Sequence, residues 1–399
     1  MPLLRNTPGL YGRMSGGEHG DQRAAERSLH THQVSSGGLH RAAVPMRNPA
    51  KGGFVSENST GKPEIIGWEI TNQCNLSCQH CFTAAGKRAH GEMTTAECRT
   101  VIDAMADIGV VTIGWTGGEP LLRDDLEELI AYAAQKKIRS TVTTNAVLLD
   151  RERAIRLFEA GNRAVQISID GSTPERNRKM RGTTDEEYGR IIDAIRFCKE
   201  LNSRVILATV LGLENLDDAP AMLALAEREQ VDMIRFCCYA PVGRGKRSDI
   251  KQRFGFGGAL PKLLAFVEQA QQQESVIVDL DIGFGPVPPD YEFHQCIAGK
   301  ETFYLKATGD LYPCTSLTYP QFLVGNLREQ SLAELWQSPK MRGASEYPLE
   351  SIEGHCRSCE NFRNCRGGCR GVVLAHTGEI DASYPLCLYR LAAERTASK

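Results

Sequence analysis

The sequence predicts an α/β fold of six strand–helix units, followed by a small cysteine-rich unit. Three observations carry the prediction: strand-length apolar runs alternate with helical patterns from residue 64, polar and glycine residues gather at one end of these runs, and cysteines become dense beyond residue 290. Alternating strands and helices build parallel sheets joined by crossovers. The pattern therefore predicts a curved parallel sheet, either an open or partial barrel or a doubly wound sheet.

The predicted strands are short apolar runs bounded by polar turns. They cover Glu64–Ile70, Val110–Trp115, Arg139–Thr143, Ala164–Ile169, Val205–Leu211 and Met233–Cys238. Helical patterns lie near residues 94–108, 123–137, 150–160, 185–201, 217–230 and 259–274. In either architecture the functional site lies where the strands end. The first four strands end in Thr71-Asn72, Thr116-Gly117-Gly118-Glu119-Pro120, Thr143-Thr144-Asn145 and Ser168-Ile169-Asp170-Gly171.

Length and charge narrow the classes of function. The chain has 399 residues and a formal net charge of -2, and this length allows more than one compact unit. It has no long basic run, so we expect neither a nucleic acid nor a membrane as a partner. Its apolar stretches are strand-length, short of the ~20 residues that a membrane helix needs. Residues 1–62 lack an apolar period and predict a disordered tail, followed by predicted units at 63–280 and 281–399.

Fourteen cysteines are the unusual feature of the composition. A secreted protein would pair them in disulfides, but the N-terminus shows no continuous apolar segment of the kind found in secretory signals. We therefore expect a cytoplasmic protein with reduced thiols. Clustered thiolates in such a protein indicate ligands for zinc or iron–sulfur clusters.

The first cluster is the triplet Cys74-x3-Cys78-x2-Cys81, directly after the first predicted strand. Three thiolates suit three corners of a [4Fe–4S] cubane and leave one iron without a protein ligand, whereas electron-transfer clusters use four cysteines. A zinc site is the alternative, with His80 as a fourth ligand. The spacing alone leaves both readings open.

Together with Thr116-Gly117-Gly118-Glu119-Pro120 after the second strand, this triplet resembles the radical S-adenosylmethionine (SAM) superfamily over about residues 64–275. The resemblance implies a partial, TIM-like (β/α)6 barrel. It also implies that Cys74, Cys78 and Cys81 hold the catalytic cluster, whose vacant iron binds SAM. The methionine amino group of SAM is then expected at Gly117, Gly118 and Glu119, with Thr116 and Pro120 on either side.

The resemblance implies further SAM contacts along the strand ends. His80, where the family commonly has an aromatic residue, and Phe82 are expected near the adenine, Thr144 and Asn145 near the methionine part, Ser168 and Asp170 near the ribose, and Arg181 near the SAM carboxylate. The alternative for each is strand-end capping or turn formation, and for Arg181 a surface ion pair.

A second cysteine group lies in the C-terminal unit. It comprises Cys296, Cys314, Cys356, Cys359, Cys365, Cys369 and Cys387. A zinc ribbon would use four of the seven and leave three unexplained. The spacing resembles the SPASM extension of radical SAM enzymes. That resemblance implies one auxiliary [4Fe–4S] cluster on Cys356, Cys359, Cys365 and Cys387, and another on Cys296, Cys314 and Cys369.

Two adjacent cysteines, Cys237 and Cys238, end the sixth predicted strand. Alternation along a strand places one of them toward the barrel interior. A thiol there could donate a hydrogen atom to a substrate radical, and strand packing is the simpler reading.

The family resemblance implies an oxidoreductase or maturase that cleaves SAM reductively to a 5′-deoxyadenosyl radical and abstracts a substrate hydrogen. It implies an external electron donor of the flavodoxin or ferredoxin type. We expect a ribosomally made peptide or protein side chain as substrate, crosslinked or oxidised, with a separate leader-peptide recognition protein. The alternatives are a small-molecule intermediate (a haem precursor, cofactor or antibiotic) and a non-catalytic iron–sulfur or zinc-binding protein.

Overall fold

The computed structural model describes residues 61–291, 296–343 and 345–397 of the chain. All of these residues lie in one compact unit, Arg47–Lys399. The tail predicted over residues 1–62 lies outside the described residues except for its last two positions, and it stays a prediction.

Seven parallel strands form the main part of the sheet in the described residues. They are β1 (Ile65–Thr71), β2 (Thr112–Gly117), β3 (Arg139–Thr144), β4 (Ala164–Ser168), β5 (Arg204–Leu211), β6 (Met233–Cys238) and β7 (Ile277–Leu280). Each strand pairs with the next one in the chain, and β7 is an edge strand. A doubly wound sheet reverses its strand order at a switch point, so the unreversed order selects the barrel. The predicted partial barrel is confirmed, with one strand more than the six expected.

Helices connect these strands. They are α1 (Thr95–Asp107), α2 (Leu126–Gln135), α3 (Arg151–Glu159), α4 (Pro174–Arg181), α5 (Asp185–Glu200), α6 (Ala219–Arg228), α7 (Ser248–Phe254) and α8 (Leu260–Ala270). Thr94 and Thr184 begin α1 and α5 with capping boxes, in which each threonine and a glutamate satisfy free backbone N–H groups. None of the helices in the described ranges combines the length and apolar character that crossing a bilayer requires.

The two faces of the barrel strands differ in residue type. One face is buried in the apolar core, where the rings of Trp68 and Trp115 stack with centroids 5.3 Å apart. The other face is partly accessible and lines the inside of the curved sheet with small or polar residues. Examples are Gly67, Gly114, Thr116, Thr143, Gln166, Arg235 and Asp279. Closed barrels usually fill this space with branched apolar side chains. The interior of this barrel differs, because small and polar residues line it.

The C-terminal residues extend the same sheet beyond β1. Strand β8 (Tyr304–Leu305) pairs with β1 in parallel, and β9 (Asp310–Tyr312) and β10 (Gly325–Asn326) follow in antiparallel order. The remaining helices are α9 (Leu332–Gln337), α10 (Pro339–Arg342), α11 (Phe362–Cys365), α12 (Arg370–Thr377) and α13 (Leu388–Ala397). The sheet is therefore continuous between the two predicted units, and their boundary at residue 280 stays a prediction.

The pairing of β8 with β1 depends on a glycine. A Cβ at Gly67 would lie 2.9 Å from the Tyr304 ring, and Tyr304 is buried with its hydroxyl donating to Glu69 Oε2 at 3.3 Å. The ring cannot retreat without losing this hydrogen bond. We expect Gly67→Ala to lower the free energy of unfolding by about 1–3 kcal/mol through overpacking, measured by chemical denaturation.

Gly189→Ala is the matched control for this substitution. Gly189 lies in α5, and a Cβ there meets no atom within 4 Å. Alanine is the better helix former, so the control should raise stability by up to about 1 kcal/mol. A Gly67→Ala protein as stable as wild type would contradict the packing at β8.

Candidate active site

The sequence-predicted site residues lie at one edge of the barrel. Strands β1 to β4 are parallel and adjacent, so their carboxyl ends meet at this edge. The cysteine triplet follows β1, the Gly117-Gly118-Glu119 segment follows β2, Thr144 and Asn145 lie at the end of β3, and Asp170 follows β4.

The loop that carries the three cysteines is closed at its base. The Cys74 backbone N–H donates to the Gly86 carbonyl at 2.9 Å, and the Gly86 N–H donates to the Asn72 carbonyl at 3.0 Å. Cys78 is buried, whereas Cys74 and Cys81 are half-buried. Burial raises the pKa of Cys78 to about 11, and its charged neighbours, including the other two cysteines, contribute to the shift. The three sulfurs are therefore close enough to interact electrostatically.

The donor set fits an iron–sulfur cluster better than a single metal ion. No group of His, Cys, Asp or Glu within the described ranges is arranged to hold one metal ion. A cubane takes each thiolate on a different iron, so its ligands need not converge on one point as zinc ligands do. The pKa values of Cys74 and Cys78 are raised by burial, so a bound cationic centre would favour their ionisation.

Two glycines bring the end of β2 against the start of the cysteine loop. The Gly118 N–H donates to the Thr71 carbonyl at 2.7 Å, and the Glu119 N–H donates to the Gln73 carbonyl at 2.7 Å. A Cβ at Gly117 would lie 2.2 Å from the Thr71 oxygen, and one at Gly118 would lie 2.1 Å from the Gln73 oxygen. Only glycine fits at these two positions, because backbone atoms occupy the space that a side chain needs.

Glu119 is a fully buried carboxylate without an ion-pair partner among the described residues. It accepts hydrogen bonds from Thr144 Oγ1 at 2.7 Å, the Asn145 N–H at 2.7 Å and the Leu121 N–H at 3.1 Å. Burial raises the pKa of this carboxyl in spite of these donors. A ligand ammonium would supply the missing positive charge, which agrees with the methionine amino group expected here.

Asp170, His80 and Arg181 form a second buried group. The Arg181 Nε atom lies 2.7 Å and the His80 Nε2 atom 3.1 Å from Asp170 Oδ2, and the Val210 N–H donates to Asp170 Oδ1 at 2.7 Å. Burial acts to raise the pKa of Asp170, but the Arg181 charge and the contact with His80 outweigh it and hold the pKa below its ordinary value. Arg181 therefore forms a buried ion pair with Asp170, not the surface ion pair considered as the alternative from the sequence.

Four other sequence-predicted residues contribute less to these two groups. Thr116 pairs with Glu69 within the sheet, Pro120 is buried at the start of a short turn, and Ser168 ends β4 with partial exposure. Phe82 is half-buried beyond Cys81, with its carbonyl against Gly243. Their expected roles as SAM contacts stay predictions.

Sequence reasoning missed the residues that hold the cysteine loop from outside. Arg244 donates from Nε to the Cys78 carbonyl at 2.8 Å, and its backbone N–H donates to the Cys81 carbonyl at 3.0 Å. Glu92 is buried and accepts from Thr71 Oγ1 and the Asn72 N–H. A Gly-Arg-Gly turn after β6 and a lone glutamate before α1 were the only sequence signals.

Four of the C-terminal cysteines, Cys356, Cys359, Cys365 and Cys387, line one small pocket. The assignment of the seven cysteines to two clusters stays a prediction. The Tyr384 N–H donates to Cys356 Sγ at 3.3 Å and the Arg390 N–H to Cys387 Sγ at 3.4 Å, contacts that tune cluster thiolates in iron–sulfur proteins.

In the second predicted set Cys369 is buried, and Cys296 and Cys314 are half-buried. Burial raises the pKa of Cys314, and its neighbours Cys369 and Cys296 raise it further. Cys369 is close enough to Asp281 and to Cys238, at the end of β6, to interact with them electrostatically. Of the adjacent pair that ends β6, Cys238 is buried and Cys237 is half-buried on the polar inner face, so the expected alternation is present.

Comparisons with known proteins agree with this arrangement. The model of the radical SAM superfamily matches residues 68–226, and that of the SPASM iron–sulfur cluster-binding domain matches residues 296–369. An AdoMet-dependent heme synthase of Methanosarcina barkeri is 28% identical over 352 residues, covering 83% of this chain and 98% of that protein. The mycofactocin maturase MftC of Mycobacterium ulcerans is 28% identical over 351 residues, covering 86% and 92%.

Solved structures share the fold at lower identity. Streptococcus suis SuiB bound to S-adenosylmethionine is 19% identical with a TM-score of 0.65, covering 82% of this chain and 77% of that one. Native anSMEcpe with bound AdoMet is 17% identical with a TM-score of 0.66, covering 84% and 98%.

The chain belongs to the radical SAM superfamily. More narrowly, it is an enzyme of the branch that carries a SPASM domain, and its cofactors are SAM and [4Fe–4S] clusters. The family is one of enzymes, so the non-catalytic alternative does not describe this protein.

Glu119→Gln tests the buried carboxylate. Both carboxylate oxygens accept hydrogen bonds, so an amide must turn its NH2 group toward at least one N–H or O–H donor and lose the charge. Hydrogen bonds to charged groups contribute about 1.5–3 kcal/mol, so we expect SAM affinity to fall about 10–100-fold. Equilibrium dialysis with labelled SAM measures this.

Glu128→Gln provides the matched control, since Glu128 lies in α2 with its side chain about half exposed. Its affinity for SAM should equal that of wild type. Equal SAM affinity in the Glu119→Gln and wild-type proteins would contradict the role given to this carboxylate.

Proposed function

We propose that Cys74, Cys78 and Cys81 bind the catalytic [4Fe–4S] cluster and that SAM binds beside them, between Glu119 and the ends of the parallel strands. The packing of Gly117 and Gly118 against the start of the cysteine loop supports this proposal most strongly, because it brings a buried carboxylate near the first thiol of the triplet, Cys74. When bound, the cluster and SAM together supply a 5′-deoxyadenosyl radical that takes a hydrogen atom from the substrate.

The residues of this chain position the ligands and exclude water. Thr144 and the Asn145 backbone hold the Glu119 carboxylate in place. This carboxylate would accept hydrogen bonds from the ammonium of the methionine part of SAM. Asn145 Nδ2 also donates to Asn75 Oδ1 at 2.8 Å and so ties β3 to the cysteine loop. The polar inner face of the barrel, with Arg235 donating to Gln166 at 3.3 Å, offers hydrogen-bonding groups to a substrate.

The same proposal includes two auxiliary clusters in the SPASM domain. One would use Cys356, Cys359, Cys365 and Cys387, which line one pocket, and the other would use Cys296, Cys314 and Cys369. An external donor of the flavodoxin or ferredoxin type would deliver electrons, and the enzyme would work in the cytoplasm.

For the substrate we favour a ribosomally made peptide or protein side chain. Relatives support this choice: mycofactocin maturase, the PqqA peptide cyclase of Granulibacter bethesdensis (28% identical) and SuiB, which binds the precursor peptide SuiA. A separate protein would then present the leader peptide. The second candidate is a small-molecule intermediate such as a haem precursor, favoured by the match to 98% of the Methanosarcina heme synthase.

SAM cleavage tests the catalytic site. Reconstituted wild-type enzyme with SAM and a strong reductant should release 5′-deoxyadenosine, measured by liquid chromatography. Cys78→Ala removes one cluster ligand, so we expect at least a 100-fold loss of product.

Cys198→Ala is the control for loss of a buried thiol, because Cys198 is buried in α5, away from the strand ends. It should keep most of the wild-type activity. Equal 5′-deoxyadenosine release by wild type and Cys78→Ala would contradict the assignment of Cys78 to the catalytic cluster.

Substrate class is decided by offering both candidates. A peptide encoded by a short reading frame beside the gene should change mass in a SAM-dependent way, seen by mass spectrometry, while a haem precursor stays unchanged. The reverse result replaces the peptide proposal by the small-molecule one.

A further inference from the structure

Arg181 lies against a sulfur of the cysteine loop. Its Nη1 atom is 4.0 Å from Cys78 Sγ, and both residues are buried. The contact directs the positive guanidinium at one of the three thiols proposed to hold the catalytic cluster. Cys78 is the only one of these three thiols that is classed as buried, so water screens this interaction little.

The same arginine lies against a buried carboxylate of the chain, that of Asp170. Asp170 has no exposed surface. Its Oδ2 atom faces Arg181 Nε at 2.7 Å and His80 Nε2 at 3.1 Å, and its Oδ1 atom accepts the Val210 N–H at 2.7 Å. Protein groups therefore lie against both oxygens, through close contacts at Oδ2 and a hydrogen bond at Oδ1.

Local structure keeps Arg181 in this place. It is the last residue of α4, which ends at Gly182 in the left-handed region with φ of 77°. The preceding carbonyl, that of Met180, accepts the Gln79 N–H of the cysteine loop at 3.4 Å. The end of α4 is thus anchored to the loop by its backbone as well as by its guanidinium.

We propose that Arg181 raises the midpoint potential of the SAM-binding cluster, with Asp170 and His80 as positioning residues; this rests on the proposed function. One-electron reduction by an external reductant adds one negative charge to the cluster. A fixed cation beside a ligand sulfur stabilises the more negative state, and cluster potentials respond to charge and to hydrogen bonds at the sulfurs. Arg181 meets Asp170 through Nε and Cys78 Sγ through Nη1. The Asp170 charge opposes the arginine at Cys78, but the arginine has the larger effect on the pKa of that thiol.

Three variants test the proposal by redox titration of reconstituted enzyme, followed by electron paramagnetic resonance. The signal that changes on adding SAM identifies the relevant cluster among the three. Arg181→Gln removes the charge and should shift the midpoint potential to more negative values. Arg181→Lys keeps the charge without the guanidinium fork and should fall between Arg181→Gln and wild type.

Arg178→Gln removes the same charge from the same helix as a control. The Arg178 side chain is half exposed and pairs with Asp185, so its loss should leave the potential at the wild-type value. An equal shift in the Arg178 and Arg181 variants, or a wild-type potential in Arg181→Gln, overturns the proposal.

If Arg181→Gln fails to hold the cluster, Arg181→Lys still tests the proposal. Its midpoint potential should lie below that of wild type, and a potential equal to wild type would overturn the proposal. Failure of the proposed function looks different: wild type itself would then show no SAM-sensitive signal and release no 5′-deoxyadenosine.

Discussion

The position of the cysteine loop relative to β2 depends on one close contact, that between the Gly117-Gly118 backbone and the carbonyls of Thr71 and Gln73. A side chain at either glycine would lie about 2 Å from a carbonyl oxygen, and neither backbone can move without breaking the sheet. The contact joins the end of β2 to the start of the loop and buries Glu119 beside the thiols. The relative position of the carboxylate and the three sulfurs is thus set by the strands.

Two buried carboxylates near the loop, Asp170 and Glu119, have different surroundings and opposite pKa shifts. Asp170 is paired within the chain with Arg181 and contacts His80, and its pKa is held low. Glu119 receives only neutral donors, and burial raises its pKa. Pairs of acids whose surroundings push their pKa values apart have different tasks. Asp170 organises the protein around the cysteine loop, whereas Glu119 is left with a charge that a cationic ligand can match.

The strand–helix order and the cysteine sets could be predicted because each has a local signal. Apolar runs mark the strands, and cysteine spacing marks the two C-terminal sets. Helix α4 could not be predicted in this way, because its eight residues, Pro174–Arg181, contain one large apolar side chain, Met180. Arg244 contacts Cys78 across 166 residues of sequence, and no periodic pattern reports such a pair. The two-residue strand β8 is likewise too short to show an alternation.

The position of β1 between β2 and β8 has a consequence for the protein as a whole. The strand that leads into the cysteine loop has hydrogen-bonding neighbours on both sides only because the C-terminal residues supply one of them. A chain cut after β7 would leave that backbone edge open to other chains, a known route to aggregation. The cysteine-rich segment therefore also shields the β1 edge of the barrel.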